Sequence, residues 1–311
     1  MKKAIIAFGV GYRYEDIRYF IQSCNRYAPG ADVIVYVGKN IAELKQQCAH
    51  FSHLTLIRYQ EPLAPKLIAK VLTRIPVLAR LYARAIRTLW QWHLMPDFMA
   101  YACAIPLLQF MVKRFFVIEQ LMKSMDHQQF MLTDLRDVLL QDDPFNGISP
   151  TTIVTGIEPL SIEQSEMNAS WVRRTLSASY LETISDKPIV CAGVTVGGRK
   201  AIEQYCREMN EEVLLNLPKL IHMLGPDQAI HIRLFYSRLK GMDKHFESNG
   251  SGSIATLHYS NLSEFFIDNG TIRNCAGKKL AVVHQYDRHP DLAAELRAGL
   301  SQTRAQFVPA A

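Results

Sequence analysis

The chain is 311 residues long, 49% of them hydrophobic and 21% charged, an ordinary globular composition with room for one large α/β domain or two smaller ones. Its net charge of +6 suits phosphorylated substrates or an anionic membrane face, and no Lys/Arg block interleaved with aromatics marks a nucleic-acid surface. The six cysteines (Cys24, Cys48, Cys103, Cys191, Cys206, Cys275) form no C-x-x-C pair, which disfavours a zinc site and fits free thiols in a reducing cytoplasm.

The first apolar run, residues 3–8, is too short for the apolar core of a signal peptide and predicts a buried strand ended by Gly9 and Gly11. Ile17, Phe20, Ile21 and Cys24 then recur at helical spacing until Pro29-Gly30. A β-branched run at 31–37, a short helix at 41–49 and a strand at 54–59 complete a β-α-β-α-β opening. That order predicts a parallel sheet with right-handed crossovers, and ligands on such sheets bind at the carboxyl ends of the strands. Phe8, Gly9, Val10 and Tyr12 therefore either flank a nucleotide or form a plain strand-to-helix turn. Their spacing is not the G-x-G-x-x-G of dinucleotide folds, because Tyr14 stands at the third position.

Residues 62–123 read as a helical insertion, basic and aromatic-rich, punctuated by Pro65, Pro76, Pro96 and Pro106. The apolar stretch 98–112 is too short to span a bilayer and predicts a buried helix. Residues 67–94, with Lys70, Arg74, Arg80, Arg84 and Arg87, either pack against the sheet, the commoner fate of an amphipathic helix, or lie on a membrane surface. A further helix is expected at 114–125.

Chemistry concentrates at residues 130–145. The apolar triplet 130–132 predicts a short strand, after which Asp134, Arg136 and Asp137 crowd together. Either these carboxylates hold a divalent cation, or Arg136 neutralises a polar turn. Residues two apart on a strand share a face and residues three apart do not, so Asp134 and Asp137 converge only across a turn or bulge at Leu135-Arg136. Downstream, strands are expected at 152–157 (ending at Glu158) and at 188–196 (interrupted by Gly193). Helices are expected at 199–217 and 229–239, and further strands at 254–259 and 280–284. Residues 1–300 read as one domain, and 301–311 as a flexible tail.

Four separated pieces together resemble nucleotide-sugar-dependent glycosyltransferases of the GT-A fold. They are Leu132-Thr133-Asp134-Leu135-Arg136-Asp137-Val138 with Gln141-Asp142-Asp143-Pro144-Phe145; Cys191-Ala192-Gly193-Val194-Thr195-Val196-Gly197-Gly198; Gly225-Pro226-Asp227-Gln228; and Val283-His284-Gln285-Tyr286-Asp287-Arg288. The resemblance implies a Rossmann-like α/β fold, a mostly parallel central sheet flanked by helices, and a sugar-nucleotide donor. It also implies a Mn²⁺ or Mg²⁺ ion bridging the donor diphosphate, held by Asp134, Asp137 and His284. Arg136 would contact phosphate, Gly193 would let the backbone approach the donor sugar, and Phe8, Gly9, Val10 and Tyr12 would flank the base. Asp227 and Gln228 would meet the acceptor, a glycan or lipid-linked sugar, with Asp227 or Glu158 as base. Plain readings stand beside these: a hydrogen-bonded loop histidine at 284, a packing glycine at 193, a helix cap at Asp227.

Two other functions are compatible with the residues. A strand ending in aspartate also opens phosphatase-like hydrolase chemistry, although Arg136 is foreign to the Asp-x-Asp pattern of such enzymes. A non-catalytic sugar-binding protein on the membrane periphery would use the basic insertion instead.

Overall fold

The computed structural model describes residues 1–268 and 270–302, the side chains of 301 and 302 excepted. The opening follows the expected alternation: β1 (Lys3–Gly9), α1 (Tyr14–Tyr27), β2 (Ala31–Val37), α2 (Ile41–Gln47) and β3 (Leu54–Arg58). The insertion comprises α3 (Leu63–Leu72), α4 (Pro76–Gln91), α5 (Asp97–Ala104) and α6 (Phe110–Met122). The single buried helix expected at 98–112 is instead two helices. Pro106 removes a backbone donor and sits in a 3₁₀ turn, Ile105–Leu107, between α5 and α6. Phe98 and Met99 on the first of these are exposed.

The acidic stretch follows as β4 (Gln129–Thr133) and β5 (Val138–Leu140), then β6 (Thr152–Ser161), α7 (Glu166–Thr175), α8 (Ala178–Glu182), β7 (Pro188–Gly198), α9 (Arg199–Leu220) and α10 (Pro226–Arg233). Three strand expectations need correction, the simplest being that the strand expected at 254–259 stops at Thr256. A β-bulge between Thr155 and Ile157 carries β6 past Glu158 to Ser161, and β7 runs unbroken through Gly193. The last part holds β8 (Asp243–Glu247), β9 (Ile254–Thr256), β10 (Phe266–Asp268), β11 (Thr271–Arg273), β12 (Val282–His284) and α11 (Pro290–Gln302). Residues 303–311, most of the expected tail, lie outside the described residues.

Seven strands form a mixed, mostly parallel sheet in the order β3-β2-β1-β4-β7-β6-β8, in which β7 alone runs against its neighbours. The order reverses beside β1: β2 lies on one flank and β4 on the other. Such a switch point leaves a crevice at the carboxyl ends of the strands, and here those ends are Gly9 and Thr133.

Both sheet faces are covered, which is why β1 is apolar from Ala4 to Phe8. Ala4, Ile6 and Phe8 face a core shared with α6, α9 and α10, whereas Ile5 and Ala7 face α1, α2 and a second, three-stranded sheet. That small sheet, ordered β5-β12-β9, pairs His284 with Val138 and with Thr256. It brings the end of the acidic stretch against the last motif of the chain, although Val138 and His284 are 146 positions apart in sequence. Of the insertion, α6 is part of the core through Val112, Phe115, Phe116, Ile118 and Met122. The helices α3 and α4 bury only narrow stripes.

Candidate metal centre and cleft

The strand β4 ends at Thr133, and the chain makes a tight turn over Leu135–Asp137 before β5 begins. The apolar Leu135 drives this turn inward. It is buried over Gly9, where a Cβ would collide with the Leu135 side chain. The backbone of Asp134 is fixed as well, its N–H donating to the Gly193 carbonyl at 2.8 Å. With Leu135 turned in and Arg136 turned out, the two carboxylates meet on one side of the turn. The geometric condition set by their three-residue spacing is thus fulfilled.

His284 completes the group. Its Nε2 lies 3.8 Å from Asp134 Oδ2 and 3.8 Å from Asp137 Oδ2, and one ligand atom from each residue lies within 4.8 Å of the others. The imidazole is buried, with Nδ1 3.6 Å from the sulfur of Cys191. When Nδ1 carries the proton and donates it toward that sulfur, Nε2 presents its lone pair to the carboxylates, the tautomer a metal ligand needs. Gly193 makes room for the ring, since a Cβ there would overlap it.

The segment after His284 is tied to the acidic turn at three points. The Gln285 N–H donates to the Asp137 carbonyl at 2.7 Å, the Tyr286 hydroxyl donates to the Arg136 carbonyl at 3.2 Å, and Asp287 faces Arg136 at 3.7 Å. Gln285 adopts a left-handed φ of 61°, a conformation uncommon outside glycine and typical of positions held by their surroundings.

Behind the acidic pair stands Arg114 of α6. It donates to Asp134 Oδ1 at 2.7 Å and lies 3.7 Å from Asp227 Oδ2. Burial works against its charge, but Asp134 and Asp227 outweigh burial and hold its pKa above the usual value. Burial pushes the Asp137 carboxyl up, with Asp134 adding to the rise and His284 opposing it. Asp227 is likewise pushed up by burial, against the pull of Arg114. Carboxylates so placed gain from a cation, and the set of two carboxylates and one imidazole fits a divalent ion such as Mn²⁺ or Mg²⁺.

These groups border a cleft of about 550 Å³ walled by Trp171, Tyr259, Met111 and Leu224, with Arg288 and His258 at its side. Glu158 opens into it. Burial pushes its carboxyl up to about 7, and its Oε2 has no hydrogen-bond partner. A second, larger cleft of about 1070 Å³ lies at the ends of β1, β2 and β3, lined by Val10, Gly11, Gly38, Asn40, Tyr59 and Gln60 among others.

Of the residues singled out from sequence, Asp134, Asp137 and His284 converge, and Glu158, Gly193, Asp227 and Gln228 line the same cleft. Asp227 stands in the first turn of α10, behind Gly225. Gln228 receives the Ala192 N–H at 2.9 Å and donates to the Val190 carbonyl at 2.7 Å. It thereby clamps α10 to β7, with one lone pair on Oε1 and one hydrogen on Nε2 left over. Phe8 lies beneath the clefts, stacked on Tyr36 with ring centroids 4.7 Å apart. Gly9 lies under Leu135, Val10 lines the larger cleft, and half-buried Tyr12 sits in the field of Arg136, Asp134 and Asp137. The Asp142-Asp143 pair is structural: Asp143 pairs with Lys3 at 2.6 Å and accepts the Phe145 N–H.

Sequence reasoning missed Arg114, Trp171, His258 and Tyr259. Only Arg114 left a signal. Lys113 and Arg114 interrupt an otherwise apolar helix face, and buried cations require partners. Compared with known protein families and with curated proteins, the chain matches none.

Proposed function

We propose that the protein is a glycosyltransferase of the GT-A type that moves a sugar from a nucleoside-diphosphate donor to a glycan or lipid-linked acceptor. The observation that carries this reading is the convergence of Asp134, Asp137 and His284 at the carboxyl ends of the central strands, beside two clefts. A divalent cation held there would act as a Lewis acid on the departing diphosphate. The larger cleft, at the ends of β1 to β3, has the size and strand-end position for the nucleoside. Arg136, half exposed beside the acidic turn, and Arg288 on the cleft wall are placed to meet phosphate oxygens.

The smaller cleft would take the sugar and the acceptor. Trp171 and Tyr259 offer aromatic faces to apolar sugar surfaces, and Glu158 offers a carboxyl that exchanges its proton near neutral pH. A group with that pKa is matched to taking a proton from an acceptor hydroxyl. Arg114 lies against both Asp134 and Asp227 and holds the two carboxylates in place.

A thermal-shift screen of nucleotide sugars with and without Mn²⁺ tests the reading, since a ligand that binds only the folded state raises the melting temperature. Stabilisation by one nucleotide sugar, dependent on Mn²⁺, together with release of the nucleoside diphosphate on adding an acceptor, is expected. Release of phosphate from a generic phosphate monoester, with no response to any nucleotide sugar, would replace it with the hydrolase reading.

A further inference from the structure

The insertion carries an apolar face that the fold leaves uncovered. In α4 the usual polarity is inverted: the buried stripe is Ala79, Ala83 and Ile86, whereas Val77, Leu81 and, just beyond the helix, Trp92 are 63%, 51% and 69% exposed. In α3 only Ala69 is buried, and Leu63, Leu67 and Val71 follow one another at helical spacing on the outside, each more than half exposed. Single exposed apolar residues are normal, but rows of them at helical spacing along two successive helices mark a contact surface.

The charges around it have one sign. No acidic residue occurs between Glu61 and Asp97, while Lys66, Lys70, Arg74, Arg80, Arg84 and Arg87 all fall in that interval. Lys70, Arg74, Arg80 and Arg84 are exposed and form no ion pair among the described residues.

We propose that the α3–α4 face docks on an anionic lipid bilayer, lying in the plane of the head groups. The helices have 10 and 16 residues, short of the roughly 20 that cross a hydrocarbon core, and no described helix is long and apolar enough to do so. Pro76 at the start of α4 and Pro96 just before α5 divide the segment into short pieces that can lie flat. Large apolar side chains among unpaired cations, with no acids, match a surface of uniform negative charge above hydrocarbon. A protein partner would instead be expected to meet a patch depleted of charge. Leu63 and Lys66 also line the larger cleft, so docking would hold the mouth of the cleft assigned to the nucleoside beside the bilayer. That consequence rests on the glycosyl-transfer reading; docking itself does not.

Co-sedimentation of the full chain with phosphatidylcholine vesicles, with and without phosphatidylglycerol, tests the proposal. Binding at least tenfold tighter to the anionic vesicles, and weakened by salt, is expected. The variant Arg74→Gln/Arg80→Gln/Arg84→Gln should lose about two orders of magnitude on anionic vesicles, at roughly fivefold per cation. Leu67→Ser/Val71→Ser/Leu81→Ser should lose binding to both kinds. All six positions are exposed, and an unchanged melting temperature confirms the fold; should the serine variant unfold, the arginine variant decides alone. Absence of sedimentation with anionic vesicles overturns the proposal, as does binding that the variants leave unchanged. Vesicle-independent dimerisation abolished by the serine variant would also overturn it and assign the face to a second copy of the chain.

Discussion

The imidazole of His284 occupies the space that a side chain at position 193 would fill. The glycine in the middle of β7 is therefore the condition for the histidine beside the two aspartates. Gly193→Ala should displace the ring, lower Mn²⁺ affinity at least tenfold, and destabilise the fold by about 1–3 kcal/mol through overpacking. Calorimetric titration with Mn²⁺ and a denaturant melt read the two effects separately. Unchanged Mn²⁺ affinity in a folded Gly193→Ala protein would show that the ring position is immaterial.

Removing Asp137 should separate stability from binding. Burial and the neighbouring Asp134 push its carboxyl pKa up, so its ionised form is disfavoured by the fold when no cation is bound. Asp137→Asn is expected to melt at a higher temperature than the parent at pH 8 in EDTA, and to lose the stabilisation that Mn²⁺ gives the parent. A lower melting temperature in EDTA would mean that the charge is satisfied without an ion.

Glu158 gives a pH dependence with a definite sign. Its carboxyl is raised from the usual 4.5 to about 7 by burial, so the folded state holds a proton that the unfolded state releases. Stability from this group is fully present below about pH 4.5 and is lost as pH rises through 7. Glu158→Gln should leave stability unchanged at pH 4.5 and raise it at pH 8 by on the order of 2–3 kcal/mol. Denaturant melts at the two pH values measure this, and an equal effect at both would contradict the assignment.

Arg114 is the buried cation between Asp134 and Asp227, and its loss leaves both carboxylates facing each other. Arg114→Met should cost about 3–5 kcal/mol near neutral pH. Asp227→Asn in the same chain should recover part of that loss, because it removes one of the orphaned charges. If the double variant is no more stable than Arg114→Met, the two residues do not act on one another.

The opening β-α-β-α-β alternation was legible because each segment is apolar at its own period: Ile5 and Ile6 on a strand buried on both faces, Ile17 and Ile21 on one side of a helix. The site was legible where local chemistry forced it. Asp134 and Asp137, three apart at a strand end, required a turn, and the inward pull of Leu135 supplies it. The partners of that turn were not legible, since they come from distant sequence: Arg114 from a helix that reads as plain core, Trp171 from a polar helical segment, and Tyr259 from the end of a run that reads as an ordinary strand. The break at Pro106 was obscured by the unbroken apolar run around it. Gly193 reads as a strand breaker until the ring of His284 is seen lying against it.

The most direct measurement is a calorimetric titration of the full chain with UDP and GDP, in Mn²⁺ and in EDTA, for the parent and for Asp137→Ala. One of the nucleotides is expected to bind the parent at least tenfold more tightly in Mn²⁺ than in EDTA, and that gain should vanish in a folded Asp137→Ala protein. Nucleotide binding by Asp137→Ala that keeps its full Mn²⁺ dependence, or no binding of either nucleotide by the parent in Mn²⁺, would contradict a diphosphate-bridging ion held by Asp134, Asp137 and His284.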